Sequence, residues 1–207
     1  MTYKLREEDV LKGAEVITAA FRGDPLWTKI FENVSGFDEK YSSFFELGLR
    51  YAFKYGEIIA PSTNLEGAAA WVPGELSYMT FYRMLRCGAL LRAMRLGPLL
   101  GSKMRYIFTP LEKDRKKNMN GRDFIYLFMI GVNPDMQGMG FGKKMLEELI
   151  RKSETADVSL YLETETPENV ELYEHFGFKT LRRIDLPVIN LPMWEMERSP
   201  RSRAITL

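Results

Sequence analysis

Residues 137–143 have the composition of a phosphate-binding loop. The stretch reads Gln-Gly-Met-Gly-Phe-Gly-Lys, with an apolar run at 124–130 before it and helical spacing over 143–151 after it. Glycine lets a backbone approach a ligand closely, and the first turn of a helix offers unbonded N–H groups and the positive end of the helix dipole. The stretch therefore predicts a nucleotide-type pyrophosphate held by backbone amides.

Two common glycine-loop designs fail to match this stretch. A P-loop needs a glycine five residues before its Gly-Lys pair and a Ser or Thr after it, but those positions hold Gln137 and Lys144. A dinucleotide fingerprint starting at Gly138 needs a glycine where Lys143 stands. Glu163 does end the next strand about 20 residues on, where a ribose-binding acid would lie. The missing glycine outweighs that match and disfavours a dinucleotide fold.

A third design matches at its defining positions. Residues 132–142, Val-x-Pro-x-x-Gln-Gly-Met-Gly-Phe-Gly, resemble the acetyl-CoA loop of the GCN5-related N-acetyltransferase (GNAT) superfamily, whose core is Gln/Arg-x-x-Gly-x-Gly/Ala. Gln137, Gly140 and Gly142 occupy the three positions. Residues 160–178 resemble the family's following strand–helix unit, with Leu-x-Leu-Glu-Thr, an Asn, Leu-Tyr and a final Gly-Phe. The two motifs in this order and spacing are together specific.

The resemblance implies acetyl-CoA as co-substrate and no metal. In the family the loop amides hold the CoA pyrophosphate, the end of the preceding strand pairs with the pantetheine arm, and an asparagine contacts that arm. The acetyl-CoA residues implied here are Ile130, Gly131, Val132, Gln137, Gly138, Met139, Gly140, Phe141, Gly142, Lys143, Asn169 and Tyr173. The alternatives are a plain tight turn for the glycines and a helix-capping role for Asn169.

The resemblance also implies a general acid. Tyr173 matches the tyrosine that often stands near the thioester sulfur, and a phenol with an ordinary pKa of about 10 can protonate a leaving thiolate. Its alternative role is a core aromatic on the apolar helix face. No motif fixes the general base; Glu163, at a strand end facing the cleft, is the first candidate and Glu165 the second. Either glutamate could instead be solvated or structural.

Composition excludes several other classes of site. The single histidine, His175, and single cysteine, Cys87, argue against His-based metal sites, Ser-His-Asp triads and a disulfide framework. We expect His175 to face solvent and Cys87 to be a buried small hydrophobe. Lys plus Arg total 29 and Asp plus Glu total 28, so we expect no nucleic-acid or membrane partner. Residues 1–10 lack the apolar core of a signal peptide, which predicts a cytoplasmic protein.

Periodicity predicts an α/β (α+β) fold, and the resemblance implies a GNAT-like mixed, mostly antiparallel central sheet flanked by helices. We expect a single acyl-CoA N-acyltransferase domain over 1–200 and a polar, frayed tail at 201–207. Predicted strands cover 3–6, 57–61, 67–73, 123–130, 158–164, 178–186 and 191–197; predicted helices cover 10–21, 40–55, 142–150 and 167–176.

An extra helical segment around 76–104 is the least expected part of the chain, and we describe 76–118 as a helical insertion or flap. Its arginines at 83, 86, 92 and 95 would each cost about 2.5–3.5 kcal/mol at a bilayer centre, which excludes a membrane span. The segment predicts a helical hairpin packed on the domain, or a flap whose residues 81–84 form a substrate wall. The polar run 111–122 predicts a solvated loop.

Three functions stay open at this point. The first is an N-acetyltransferase that moves acetyl from acetyl-CoA to a primary amine of an unidentified small molecule or peptide, by direct transfer in a ternary complex. The amine would lie between the helices of 26–55 and the 76–104 segment. The second is a non-catalytic CoA-binding module, and the third an NAD-dependent oxidoreductase. A homodimer through the last strands, common in the family, is a further possibility.

Overall fold

Seven strands form one mixed sheet in this computed structural model, which describes residues 1–88, 90–186 and 188–204. The strands are β1 (Tyr3–Lys4), β2 (Glu57–Ala60), β3 (Gly67–Pro73), β4 (Phe124–Val132), β5 (Ser159–Thr164), β6 (Lys179–Leu186) and β7 (Leu191–Arg198). Their spatial order is β1-β2-β3-β4-β5-β7-β6. Only β4 and β5 are parallel neighbours, so the predicted mixed, mostly antiparallel sheet is confirmed.

Helices cover both faces of this sheet and divide the hydrophobic core in two. They are α1 (Val10–Ala20), α2 (Pro25–Phe31), α3 (Phe37–Tyr55), α4 (Phe81–Arg86), α5 (Leu90–Met119), α6 (Phe141–Ala156), α7 (Pro167–His175) and α8 (Arg201–Ala204). The first core cluster holds α1, α2, α3 and α5, and the second holds α6 and α7. No helix in the described ranges is long and apolar enough to cross a membrane. Of the predicted tail, residues 205–207 lie outside the described residues.

β4 and β5 separate part of the way along their length. They pair from Phe124 opposite Ser159 to Tyr126 opposite Tyr161, and the pairing ends there. β4 continues to Val132 with β3 as its partner. Along that stretch Trp71 of β3 pairs with Leu127 and Ala70 with Met129, so Phe128 is an extra residue in β4. A β-bulge of this kind bends its strand, which accounts for the opening beside β5.

The predicted solvated loop at 111–122 is wrong, because α5 continues through it to Met119. The many polar residues of this run made it look like a loop. The helix nevertheless has one stripe of buried side chains that begins before the run and continues into it, at Leu100, Met104, Ile107, Leu111, Arg115 and Met119. Positions three or four apart lie on one helix face, so the stripe packs on the sheet while Lys113, Lys116 and Lys117 face solvent. Arg115 interrupts the apolar pattern without interrupting the buried face.

The predicted helical segment after residue 76 is present, and it is longer than expected. α4 and α5 form it, and α5 is interrupted at Gly97, whose φ of 76° lies outside the helical region. The Tyr51 hydroxyl donates to the Leu76 carbonyl at 2.7 Å, which anchors the start of the segment to α3. Phe81 and Tyr82, the predicted substrate wall, are exposed to solvent.

Leu111→Ala tests whether the run 111–119 is a packed helix. Leu111 is 2% exposed, so we expect its truncation to lower the free energy of unfolding by about 2–5 kcal/mol. Lys116→Ala, on the exposed face of the same helix, should change it by less than about 0.5 kcal/mol. Urea denaturation followed by circular dichroism measures both variants. Equal effects would mean that Leu111 is not packed against the core.

Candidate functional site

A cleft of about 560 Å³ opens where β4 and β5 separate. The end of α1, the start of α2, both strands, the start of α6, and α7 line it. Most of the residues predicted from sequence line this one space: Ile130, Gly131, Val132, Gln137, Gly142, Lys143, Glu163, Glu165, Asn169 and Tyr173. The other four, Gly138, Met139, Gly140 and Phe141, are in the loop and first helical turn between Gln137 and Gly142. Two motifs distant in sequence therefore meet at one site.

The glycine loop ends in the N-terminus of α6, as predicted. Gly138 and Gly140 have φ of +78° and +82°, a region in which other residues are strained. No side chain caps α6, and its first internal bond runs from the Lys144 N–H to the Gly140 carbonyl at 3.0 Å. The N–H groups of residues 141–143 therefore have no carbonyl within the helix to bind. Together with the helix dipole they form a site suited to an anion.

One edge of β4 borders the cleft beside this loop. Ile130 and Val132 pair with Ala69 and Gly67 of β3, and the opposite edge of β4 has left β5 by this point. An extended chain that carries amide groups can bind such an edge as an added strand. Gly131 has a separate packing role, because a Cβ there would lie 2.7 Å from the Ala20 side chain of α1.

Tyr173 is both a core residue and a cleft residue. It is 9% exposed and packs edge-on against Phe178, with ring centroids 5.5 Å apart. Its hydroxyl has no hydrogen-bond partner among the described residues, and its side chain lines the cleft. Burial, and then the nearby Glu165 carboxyl, raise the pKa of the phenol, so it keeps its proton throughout the physiological range.

Asn169 lines the cleft from the first turn of α7. The cap of this helix is Thr166, whose side-chain oxygen accepts a hydrogen bond from the Asn169 N–H at 3.3 Å. The capping role considered for Asn169 therefore belongs to Thr166. The Asn169 carboxamide makes no hydrogen bond within the described part of the chain, so it can bind a ligand that enters the cleft.

Glu163 lines the cleft, but both of its carboxylate oxygens are engaged. Its Oε1 lies 2.9 Å from Nη2 of Arg115, and its Oε2 accepts a hydrogen bond from the Tyr126 hydroxyl at 2.7 Å. Sequence reasoning missed both partners. Arg115 stands four residues after Leu111 on the buried stripe of α5, and this helical spacing is the sequence signal that Arg115 faces the sheet.

A second carboxyl group stands just beyond the end of β5. Glu165 lies beside Asp24, and burial together with the Asp24 carboxyl raises the pKa of Glu165 to about 9. Asp24 caps α2, accepting a hydrogen bond from the Trp27 N–H at 3.1 Å. The sequence signal for this cap is an aspartate directly before Pro25, which stands at the first helical position. The carboxyl pair and Trp27 line the same cleft.

The single histidine and the single cysteine lie outside the cleft lining. His175 is exposed, as predicted, with its ring against Phe176. Cys87 is half-buried rather than buried, and its Sγ donates to the Met84 carbonyl at 3.3 Å.

Known proteins resemble this chain in sequence and in fold. The family described as "Acetyltransferase (GNAT) family" matches residues 106–178. An "uncharacterized N-acetyltransferase" of Schizosaccharomyces pombe is 25% identical over 208 residues, covering 97% of this chain and 84% of the relative.

Solved structures resemble the chain over nearly its whole length. A histone acetyltransferase HPA2 and related acetyltransferase from Corynebacterium glutamicum is 20% identical, with a TM-score of 0.66 over 96% of both chains. An N-acetyltransferase from Staphylococcus aureus is 16% identical, with a TM-score of 0.61 over 95% of this chain and 99% of that one. At such identities these structures establish the fold. Together with the family match over residues 106–178, they show that the chain is similar to GNAT acetyltransferases in that segment and in fold.

Proposed function

We propose that the protein transfers an acetyl group from acetyl-CoA to a primary amine, by direct attack of the amine in a ternary complex. The observation that carries this proposal is the meeting, in one cleft, of the amide-rich start of α6 and the buried Tyr173 hydroxyl. The first suits a pyrophosphate and the second suits a leaving thiolate. The acceptor is a small molecule or a peptide amine.

The donor half of the cleft fits acetyl-CoA by its chemistry. The N–H groups of residues 137–143 would bind the pyrophosphate, as the dipole of α6 favours an anion there. The amides of the pantetheine arm would bind the open edge at Ile130–Val132, with the Asn169 carboxamide beside them. This arrangement would bring the thioester to the part of the cleft that Tyr173 lines.

The acceptor half carries the opposite charge. Asp24 and Glu165 lie together there with apolar walls from Phe21, Trp27 and Phe128. A carboxyl pair attracts an ammonium group, whose positive charge in turn favours ionisation of Glu165. We therefore assign substrate binding to Asp24 and the general-base role to Glu165. Glu163, the first candidate from sequence, is committed to Arg115 and Tyr126.

The transfer then balances as follows. The neutral amine nitrogen attacks the thioester carbonyl carbon, and the proton it loses goes to the Glu165 carboxylate. The carbon–sulfur bond breaks, and the sulfur takes the proton of the Tyr173 hydroxyl. The proton on Glu165 then returns through water to the Tyr173 oxygen, so both residues regain their starting states. Because the ammonium gives its first proton to water before the attack, an ammonium and acetyl-CoA give an amide, CoA thiol and one proton overall. A base whose pKa is close to that of the amine is efficient in such a transfer, and burial beside Asp24 raises the pKa of Glu165 to about 9.

The direct test is acetyl-CoA consumption in the presence of alkyl and aryl amines, aminoglycosides, polyamines and peptides. We expect turnover with at least one cationic amine, with CoA and the N-acetyl amine as products by mass spectrometry. CoA binding by calorimetry without any turnover would instead identify a binding module. Tight NAD binding without CoA binding would exclude both functions.

Tyr173→Phe separates an enzyme from a binding module. Removing only the hydroxyl should lower kcat by about 10²–10⁴-fold, the usual contribution of a general acid, with the Kd for CoA unchanged. Tyr106→Phe, at an exposed tyrosine of α5, is the matched control and should leave both values at those of the parent protein. A Tyr173→Phe protein with full kcat would remove this residue from the mechanism.

Glu165→Gln tests the base through pH. In the parent protein kcat/KM for a given amine should rise as pH approaches 9, because the pKa of Glu165 is raised to about 9; the variant should lose this rise and most of its activity. Folding provides a second readout. Between about pH 4.5, the ordinary pKa of a glutamate, and about pH 9, Glu165 holds more protons in the folded protein than in the unfolded chain. Its contribution to the free energy of unfolding therefore falls as pH rises through this range.

Urea denaturation at pH 5, 7 and 9 measures this contribution, and Glu165→Gln should lose less stability than the parent over the range. The control is Glu168→Gln, at an exposed glutamate of α7, which should follow the parent in both measurements. An unchanged pH–rate profile in Glu165→Gln would exclude Glu165 as the base.

A further inference from the structure

A buried ion pair joins α5 to β5 beside the cleft. Nε and Nη2 of Arg115 lie 3.0 Å and 2.9 Å from Oε1 of Glu163. The two side chains are only 6% and 7% exposed. Little solvent screens this interaction, so the two groups hold each other in a defined geometry. Burial lowers and the Glu163 charge raises the pKa of Arg115, with a net rise that keeps the guanidinium charged.

Tyr126 of β4 completes the cluster. Its hydroxyl donates to Oε2 of Glu163 at 2.7 Å, and the Arg115 guanidinium lies 3.7 Å from the centroid of its ring. Burial raises the pKa of Tyr126 well above its ordinary value, so the phenol stays neutral and remains a donor. One arginine thus contacts a residue from each of the two strands that border the cleft.

The cluster lies at the point where these strands separate. Tyr126 is the last residue of β4 in register with β5, opposite Tyr161, and Glu163 lies two residues further along β5. The Tyr126–Glu163 hydrogen bond therefore crosses the closed end of the cleft. Phe128 of β4 and Glu165, just beyond the end of β5, are each two residues further on and line the cleft.

We propose that Arg115 is a positioning residue for acetyl transfer: by holding Glu163 against Tyr126, it sets the separation of β4 and β5 and thereby the place of Glu165. The inference rests on the proposed function and adds a role for α5, a helix whose residues do not line the cleft. A misplacement of about 1 Å can lower a rate by about 100-fold, so a small change in strand separation is sufficient.

The alternative is that the ion pair only anchors α5. A buried pair contributes little net stability relative to well-packed apolar side chains, although removing one partner is strongly destabilising. Stability alone therefore cannot distinguish the two roles. A second ion pair supplies the control: Nη1 of Arg122, just beyond α5, lies 2.6 Å from Oε1 of Glu197 on β7, and neither residue lines the cleft.

The experiment compares Arg115→Met, Arg115→Lys and Arg122→Met, assayed well below their melting temperatures. We expect Arg115→Met to lower kcat at least about tenfold while the KM for acetyl-CoA changes less than about threefold, because the loop amides are unaffected. Arg115→Lys keeps the charge and should recover part of kcat. Arg122→Met should lower the melting temperature and leave kcat unchanged. Equal kcat values for Arg115→Met and Arg122→Met would overturn the proposal.

Glu163→Gln and the double variant Arg115→Met/Glu163→Gln test whether the two residues act as one unit. If they do, the losses in kcat should not multiply, and the rise of kcat/KM with pH should persist in Glu163→Gln. Multiplying losses would show that the two residues act independently and would overturn the positioning role. Loss of the pH dependence in Glu163→Gln would make Glu163 the base and would overturn it as well.

Amide hydrogen exchange read by mass spectrometry adds a measurement that needs no turnover. Peptides that cover 126–128 and 163–166 should exchange faster in Arg115→Met than in Arg122→Met, with CoA present or absent. If the parent protein acetylates no amine, the proposed function fails while this comparison still decides the inference. Unchanged exchange in Arg115→Met would overturn it.

Discussion

The early end of the β4–β5 pairing is the constraint on which the site depends. The two strands share a parallel ladder only as far as Tyr126 and Tyr161, and the bulge at Phe128 bends β4 away. Backbone N–H and C=O groups along the rest of that edge cannot stay buried without partners, so they must face water or a ligand. The sheet thereby provides a binding edge of fixed direction, ending at the start of α6. Arg115, Glu163 and Tyr126 contact one another at the point where the strands separate.

The cleft lining differs in charge from one region to another, and in the proposed reaction this difference would orient the substrates. At the α6 end stand unbonded N–H groups, the positive pole of a helix and Lys143. The Asp24 and Glu165 carboxyls line another part of the cleft, just beyond the end of β5. In the proposed reaction the first region would attract the pyrophosphate and the second the ammonium group. Tyr173 of α7 lines the same cleft.

Local sequence signals predicted the glycine loop and the helix that follows it. The glycine loop could be read because Gly138 and Gly140 need positive φ and precede a helix with a regular apolar stripe. The acceptor half depends on contacts between residues far apart in sequence, such as Asp24 with Glu165, and no local pattern reports such a contact. The sequence could not decide between Glu163 and Glu165 as general base for the same reason. Both are glutamates, and they differ only in the side chains that they contact. The loop predicted at 111–122 was wrong because a charged residue, Arg115, occupies the buried stripe of α5.

That buried charge is part of a larger match between α5 and the sheet. On the face that α5 covers, β5 and β7 present three carboxylates, at Glu163, Glu195 and Glu197. Arg115 binds the first, Asn118 donates to the second at 2.8 Å, and Arg122 binds the third. Burial is the main cause that raises the pKa of Glu195 to about 7, so this carboxyl is partly protonated near neutral pH. Its partner, the Asn118 carboxamide, is a neutral donor.

An apolar helix could cover the same face with greater stability, since buried ionic groups pay heavily for desolvation. The polar contacts of Arg115, Asn118 and Arg122 instead fix the position of α5 along the sheet. Arg115 and Asn118 are three residues apart on one face of α5, and Arg122 follows just beyond its end, so shifting α5 by one residue along its axis would separate these pairs and leave the buried Arg115 and Glu163 charges without each other. The same contacts that fix α5 on the sheet also hold Glu163 at the closed end of the cleft. Helix placement and cleft geometry are therefore one constraint, enforced by the cost of an unpaired buried charge.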